Sequence, residues 1–132
     1  MPYGNLLADV VQSSVTGTPP QFNDGAGTQT GTLCRAWVNF NGTGTVAIRA
    51  SFNVSSITDN GTGDYTVNFT NALSDANYAF AGGVKLTSDG TNYRSLYQGS
   101  ATAPAVGSCR FTTSSPSSGN GDVDIICVTI FR

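Results

Sequence analysis

The chain has 132 residues, a formal net charge of -2 and no histidine, and only 11% of its residues are charged. That length suits one domain with a genuine core, and the charge balance excludes a strongly basic nucleic-acid surface. Glutamate is absent and lysine occurs once, while 17 Thr, 14 Ser, 11 Asn and 16 Gly supply most of the polarity. Exposed helix surface normally draws on Glu, Lys, Gln and Arg. Thr, Val, Ile and the aromatic residues favour strands, and Gly and Asn favour tight turns, so the composition points to an all-β chain. No apolar run approaches the roughly 20 residues that cross a bilayer, and membrane insertion is not expected. The start Met1-Pro2-Tyr3-Gly4-Asn5 lacks the basic beginning and apolar centre of a signal peptide. Cys34, Cys109 and Cys127 are odd in number and widely spaced, which predicts reduced, apolar strand residues and neither disulfides nor a zinc site.

In chain order, residues 1–32 differ in character from residues 33–132. Leu6, Leu7, Val10 and Val11 form a short apolar stretch, and the segments around Pro19-Pro20 and Gly25–Gly31 are rich in breakers. An extended N-terminal arm is expected here, with those four apolar residues attaching it to a neighbouring chain or to a larger particle. From residue 33 to 132 the pattern is strand and turn. Cys34, Ala36, Val38 and Phe40 alternate with Arg35, Trp37 and Asn39, and Asn41-Gly42-Thr43-Gly44 supplies a hairpin turn. Next, Val46, Ile48, Ala50, Phe52 and Val54 fall on one face and Ala47, Arg49, Ser51 and Asn53 on the other, predicting one strand with one buried face. Asn60–Gly63 repeats the turn chemistry, and Tyr65, Val67 and Phe69 alternate beyond it, so 33–70 reads as an antiparallel meander.

Further strands are expected over Tyr78–Lys85, with a bulge or bend at Gly82-Gly83, over Tyr93–Tyr97, and over Cys109–Thr113. A Ser-, Pro- and Gly-rich loop is expected from Ser114 to Gly121. The last stretch, Val123–Phe131, is apolar on both alternating sets from Ile125 on, which predicts core on one side and another layer or a subunit on the other. The expected fold is an antiparallel β-sandwich of jelly-roll type with an extended N-terminal arm.

The residue inventory is poor in catalytic chemistry. Without His or Glu, no Ser-His-Asp or Cys-His site can form within one chain. Asp59 with Asp64, and Asp122 with Asp124, are expected to be solvated turn residues and not a glycan-cleaving pair. The run Asp59-Asn60-Gly61-Thr62-Gly63-Asp64 places oxygens around glycines but lacks calcium-loop spacing, and reads as a hairpin turn. No metal and no cofactor are expected. Four Asn-x-Ser/Thr triplets, at Asn41, Asn53, Asn60 and Asn68, arise readily in a chain of this composition. The best binding candidate is the segment 87–98. Its Asn92, Tyr93, Arg94, Tyr97 and Gln98 combine rigid aromatic area with adaptable hydrogen bonding. Trp37 is expected to pack.

The stretch Leu33-Cys34-Arg35-Ala36-Trp37-Val38-Asn39-Phe40-Asn41-Gly42-Thr43-Gly44, continuing through Val46–Val54 and Ser55–Tyr65 to about Phe80, resembles a segment recurring in phage tail fibre and related virion proteins, many of them of phages of aquatic bacteria, including cyanobacteria. The likeness covers somewhat over a third of the chain. It implies a trimeric, β-rich virion component assigned to host attachment, found on the particle and made in the host cytoplasm. The expected partners are two further copies of the chain, other virion proteins and a host surface glycan. The alternative is a capsid decoration, cement or head-fibre protein held by its N-terminal arm. In neither case is an enzyme expected.

Overall fold

The computed structural model of the chain describes residues 21–23, 28–30, 33–85, 94–99 and 102–132. Every regular element among them is a strand, and none is a helix long and apolar enough to cross a membrane. The chain divides into two units, Met1–Leu33 and Cys34–Arg132. In the first, β1 (Gln21–Asn23) and β2 (Thr28–Thr30) form an antiparallel hairpin with Gln21 opposite Thr30. Within the stretch 1–32, expected as an extended arm, these two strands are the described elements. Phe22 and the threonines are good strand formers, a preference hidden by the neighbouring glycines. Leu6, Leu7, Val10 and Val11 lie outside the described residues.

The second unit holds β3 (Cys34–Asn41), β4 (Ala47–Phe52), β5 (Val54–Gly61), β6 (Asp64–Phe69), β7 (Ala79–Val84), β8 (Ser95–Gln98), β9 (Ser108–Ser115), β10 (Gly119–Asn120) and β11 (Ile126–Phe131). They form two antiparallel sheets. The first has the order β4-β3-β11-β7 and the second β10-β9-β6-β5, with β8 also paired to β9. Thr112 of β9 lies between Asp64 of β6 and Tyr97 of β8, so β6 and β8 flank β9 on opposite sides. The inner faces share one core, a sandwich-like arrangement. Ala36, Val38, Phe40, Ile126, Val128 and Ile130 of the first sheet meet Tyr65, Val67, Phe69, Cys109 and Phe111 of the second. Phe40 packs edge-on against Tyr65 with ring centroids 5.3 Å apart, and Phe80 against Phe111 at 5.0 Å. Each such buried large side chain contributes roughly 1.5–3 kcal/mol.

The predicted single strand over 46–54 is two strands in different sheets. A bulge opposite Asn39 and Phe40 leaves Arg49 unpaired and reverses the alternation. Ile48 then pairs with inward Phe40, while Ala50 and Phe52 pair with Asn39 and Trp37 on the outer face. At Asn53 the backbone takes φ 56°, a left-handed value that Asn tolerates better than most residues. Its amide donates to the carbonyls of Arg35 (2.9 Å) and Asn71 (3.1 Å), its side-chain oxygen accepts from Asn71 N–H (2.8 Å), and its carbonyl accepts from Thr70 N–H. The chain thereby leaves the first sheet and enters the second at β5. The meander expected over 33–70 is corrected to two hairpins joined by this corner.

Three smaller expectations also change. Gly82 and Gly83 pair regularly with Val128 and Cys127, with no bulge. Gly82 serves close approach, since a Cβ there would stand 2.5 Å from both Cys127 O and a Leu96 methyl. The loop expected over Ser114–Gly121 contains a tight return, in which Gly119 and Asn120 pair with Ser115 and Ser114. The last strand starts at Ile126 and not at Val123.

One polar cluster, buried at Tyr65 and Thr113 and reaching the surface at Asp122, ties the sheets together. The Tyr65 hydroxyl, from β6, lies 2.9 Å from the Gly42 carbonyl after β3 and 2.7 Å from Asp122 Oδ1 before β11. It has a single proton for these two acceptors. The same Asp122 oxygen accepts from Gly63 N–H at 2.7 Å, while Gly42 N–H donates to the Val123 carbonyl. Gly63 (φ 64°) permits this contact, because a Cβ there would meet the Gly121 nitrogen at 2.5 Å and the Thr113 carbonyl at 2.7 Å. Thr113 closes the cluster, its hydroxyl donating to the Gly121 carbonyl at 2.6 Å. Burial, followed by the Asp122 carboxylate, raises the Tyr65 phenol well above its ordinary range, so it stays protonated.

Tyr65→Phe keeps the ring and removes the hydroxyl shared by the buried Gly42 carbonyl and Asp122. A loss of about 1–3 kcal/mol is expected, read in a thermal melt as a fall of roughly 5–15 °C for a unit of this size. A melt within 1–2 °C of the parent would show the cluster to be dispensable.

Candidate functional site

The two sheets turn outer faces of different chemistry to solvent. On the first sheet one row crosses all four strands: Phe52 of β4, Trp37 of β3, Thr129 of β11 and Ala81 of β7. Ala50, Asn39, Cys127 and Gly83 form the next row, and Phe131 stands beside Ala79. Phe52 is 54% exposed and Trp37 39%. Trp37, expected to pack within the chain, thus lies on an open sheet face. Two ion pairs border this sheet, Lys85 with Asp124 at 2.8 Å and Arg132 with Asp75. The double apolarity of the last strand resolves accordingly: Ile126, Val128 and Ile130 are core, while Cys127, Thr129 and Phe131 face out.

The outer face of the second sheet carries hydroxyls and amides. Ser56 and Thr58 on β5 lie beside Asn68 and Thr66 on β6, then Arg110 and Thr112 on β9, then Tyr97 and Ser95 on β8. Asn68 Nδ2 donates to Ser56 Oγ (3.0 Å) and Thr58 Oγ1 (2.9 Å), and Asn60 Nδ2 donates to Thr66 Oγ1 (2.9 Å). Arg110 forks onto Asp64, Nε to Oδ1 at 2.8 Å and Nη2 to Oδ2 at 2.6 Å, and its Nη1 reaches Thr102 Oγ1 at 3.3 Å. The Arg110 hydrogen bonds hold the Asp64 carboxyl below the usual carboxylate range against a smaller opposing effect of burial.

The structure scatters the residues singled out in 87–98. Tyr97 stands on this face, 47% exposed, with Ser95 two residues before it. Gln98 pairs with Phe111 and so falls on the opposite face of the edge strand. Arg94 precedes β8 and donates from Nη1 to the Gly119 carbonyl at 2.9 Å, pinning the return between β9 and β10. Asn92 and Tyr93 lie outside the described residues. Sequence reading misses Asn68, Thr58, Thr66, Asn60 and Arg110. Their signal is present in the polar set that alternates with Tyr65, Val67 and Phe69, but in isolation that set looks like plain solvent face.

Asp59 and Asp122, expected to be solvated turn residues, are exposed, and all four aspartates also carry hydrogen bonds. Asp59 Oδ1 accepts from Gly61 N–H at 2.9 Å within the β5–β6 turn, Asp64 holds Arg110, Asp122 holds Tyr65, and Asp124 holds Lys85. The run 59–64 is a hairpin turn, as its glycines suggest. Among the described residues no group of three Asp or Cys side chains could hold a metal ion. The three cysteines are unpaired, and burial pushes the Cys109 thiol up, away from the nucleophilic thiolate. No family model, curated protein or solved structure matches the chain.

The sign of the acid response follows from Asp64. Its folded pKa is depressed, so the stability it confers is complete above its unfolded value near 3.8 and is lost as the pH falls through the lower folded value. Asp64→Asn should cost about 1–2 kcal/mol at pH 7. The gap to the parent should close as the pH falls below 3.8 and through the lower folded value. Scanning calorimetry from pH 7 to 2 checks this, and a constant gap across the range would refute it.

Proposed function

We propose that the chain is a non-enzymatic structural module of a phage particle, a tail-fibre-like end domain that assembles as a homotrimer and presents one face to the host surface. The observation that carries this reading is the contrast between the two outer faces. An apolar face flanked by ion pairs has the anatomy of a subunit contact, with an aromatic centre and a polar rim. A face of neutral hydroxyls and amides suits exposure and recognition. The resemblance of the 33–80 segment to virion fibre proteins supports the same assignment, and so does the absence of His and Glu from the chain.

Trp37 is the only tryptophan, which makes the assembly optically readable. Light scattering at micromolar concentration should give three chains per particle, and Trp37 emission should shift to the red as dilution releases monomers. Phe52→Ser should move that transition to at least tenfold higher concentration, the equivalent of about 1.4 kcal/mol, with little change in the fold because Phe52 is already exposed in the single chain. A monomer at all concentrations would remove the trimer. Immunogold labelling of intact particles should place the protein at the tail. Label spread over the head would favour a capsid decoration or head-fibre role.

A further inference from the structure

We infer that the outer face of the second sheet is a docking surface for a neutral polysaccharide, laid across β5, β6, β9 and β8 and stacked on Tyr97. The inference deepens the attachment reading and rests on it for its biological sense, whereas the chemistry rests on the face alone.

Charge is the first argument. Arg110 and Asp64 are the only ionised groups among the described residues on this face, and they neutralise each other through two short hydrogen bonds. An anionic glycan, a phosphate or a charged membrane surface would have to break that pair to find a counter-charge. An uncharged polyol need not.

Hydrogen bonding is the second. Ser56 Oγ, Thr58 Oγ1, Thr66 Oγ1 and Thr102 Oγ1 each accept an N–H from Asn68, Asn60 or Arg110. A hydroxyl that accepts in this way is fixed in place and still has its own O–H to donate. The strands lie about 4.8 Å apart, so these donors form a lattice on the scale of sugar-ring substituents. Because the lattice is already held by internal bonds, little side-chain freedom is lost on binding. Sugar hydroxyls, each both donor and acceptor, match such a surface.

An aromatic ring completes the surface. Tyr97 is the one large exposed aromatic residue on this face among the described residues and stands beside Thr112, at the margin of the lattice. A ring there offers apolar area to the C–H face of a sugar while its neighbours bind the hydroxyls. Weak binding per chain would be amplified by several copies on one particle.

The test uses the full chain in affinity electrophoresis. Gels contain dextran, galactomannan or laminarin as neutral probes, and alginate or chondroitin sulfate as acidic ones. Retardation by at least one neutral polysaccharide is expected, unchanged between about 0.05 and 0.5 M NaCl. Tyr97→Ala should weaken it roughly tenfold or more. Thr66→Val, which removes one hydroxyl at equal volume, should weaken it by a smaller factor, with both variants melting near the parent temperature. Retardation by acidic polysaccharides alone, abolished by salt, would overturn the inference. So would neutral binding that ignores both substitutions. If no neutral polysaccharide retards a chain that still forms trimers and labels the particle, this inference falls and the attachment reading survives.

Discussion

A single phenol proton lies where three parts of the second unit converge. Tyr65 comes from the middle of one sheet, Gly42 follows a strand of the other, and Asp122 begins the approach to the last strand. The Tyr65 hydroxyl and the Gly42 carbonyl are polar groups that would be costly to bury alone. Together they satisfy one another only when both sheets and the final segment are in place. The requirement is strict because the Phe40 ring packs on the same tyrosine, so apolar contact and hydrogen bonding share one geometry. The glycines around it are there for space: the chain must come within van der Waals distance of itself at Gly63, and a side chain would push it out.

The outer surfaces depend on that arrangement. Once Tyr65, Val67 and Phe69 are committed inward, Asp64, Thr66 and Asn68 must face out, and the neighbouring strands align their own polar sets with them through the register. On the first sheet the same logic turns Trp37 outward opposite buried Ala36 and Val38. Low charge follows from the same economy. Asn amides and Thr hydroxyls knit adjacent strands from outside, a task that many proteins give to ion pairs, and they do so without screening by salt.

Much of this is legible in the sequence, element by element. The alternating apolar sets of β3 and β6 are correctly read, because their period survives unbroken. The reading fails where the period breaks for a reason that is not local. The bulge at Arg49 depends on pairing with β3, and the sheet change at Asn53 depends on carbonyls at Arg35 and Asn71. Neither partner is visible in a short window. A pattern of five apolar residues at 46–54 therefore looks like one buried face when it serves three environments. The same limit applies to Asp122 and Asp124, whose partners are 57 and 39 residues away. For the site, Tyr97 is found by residue type. The lattice beside it is not, since hydroxyls and amides gain meaning only when strands set them side by side.

The bulge at Arg49 has a second effect. β4 ends its sheet, and a flat terminal strand with Ile48, Ala50 and Phe52 on it would be a template for adding strands without limit. The unpaired residue twists that border and places a guanidinium on it, with Nη1 3.5 Å from Asn39 Oδ1. Lateral growth by main-chain pairing is thereby obstructed at the β4 edge. Stickiness remains on the flat of the sheet, where contact consumes the surface that made it. A sequence this rich in strand formers and this poor in charge is exposed to fibrous precipitation through its sheet edges, and at this border one misaligned residue stands against it.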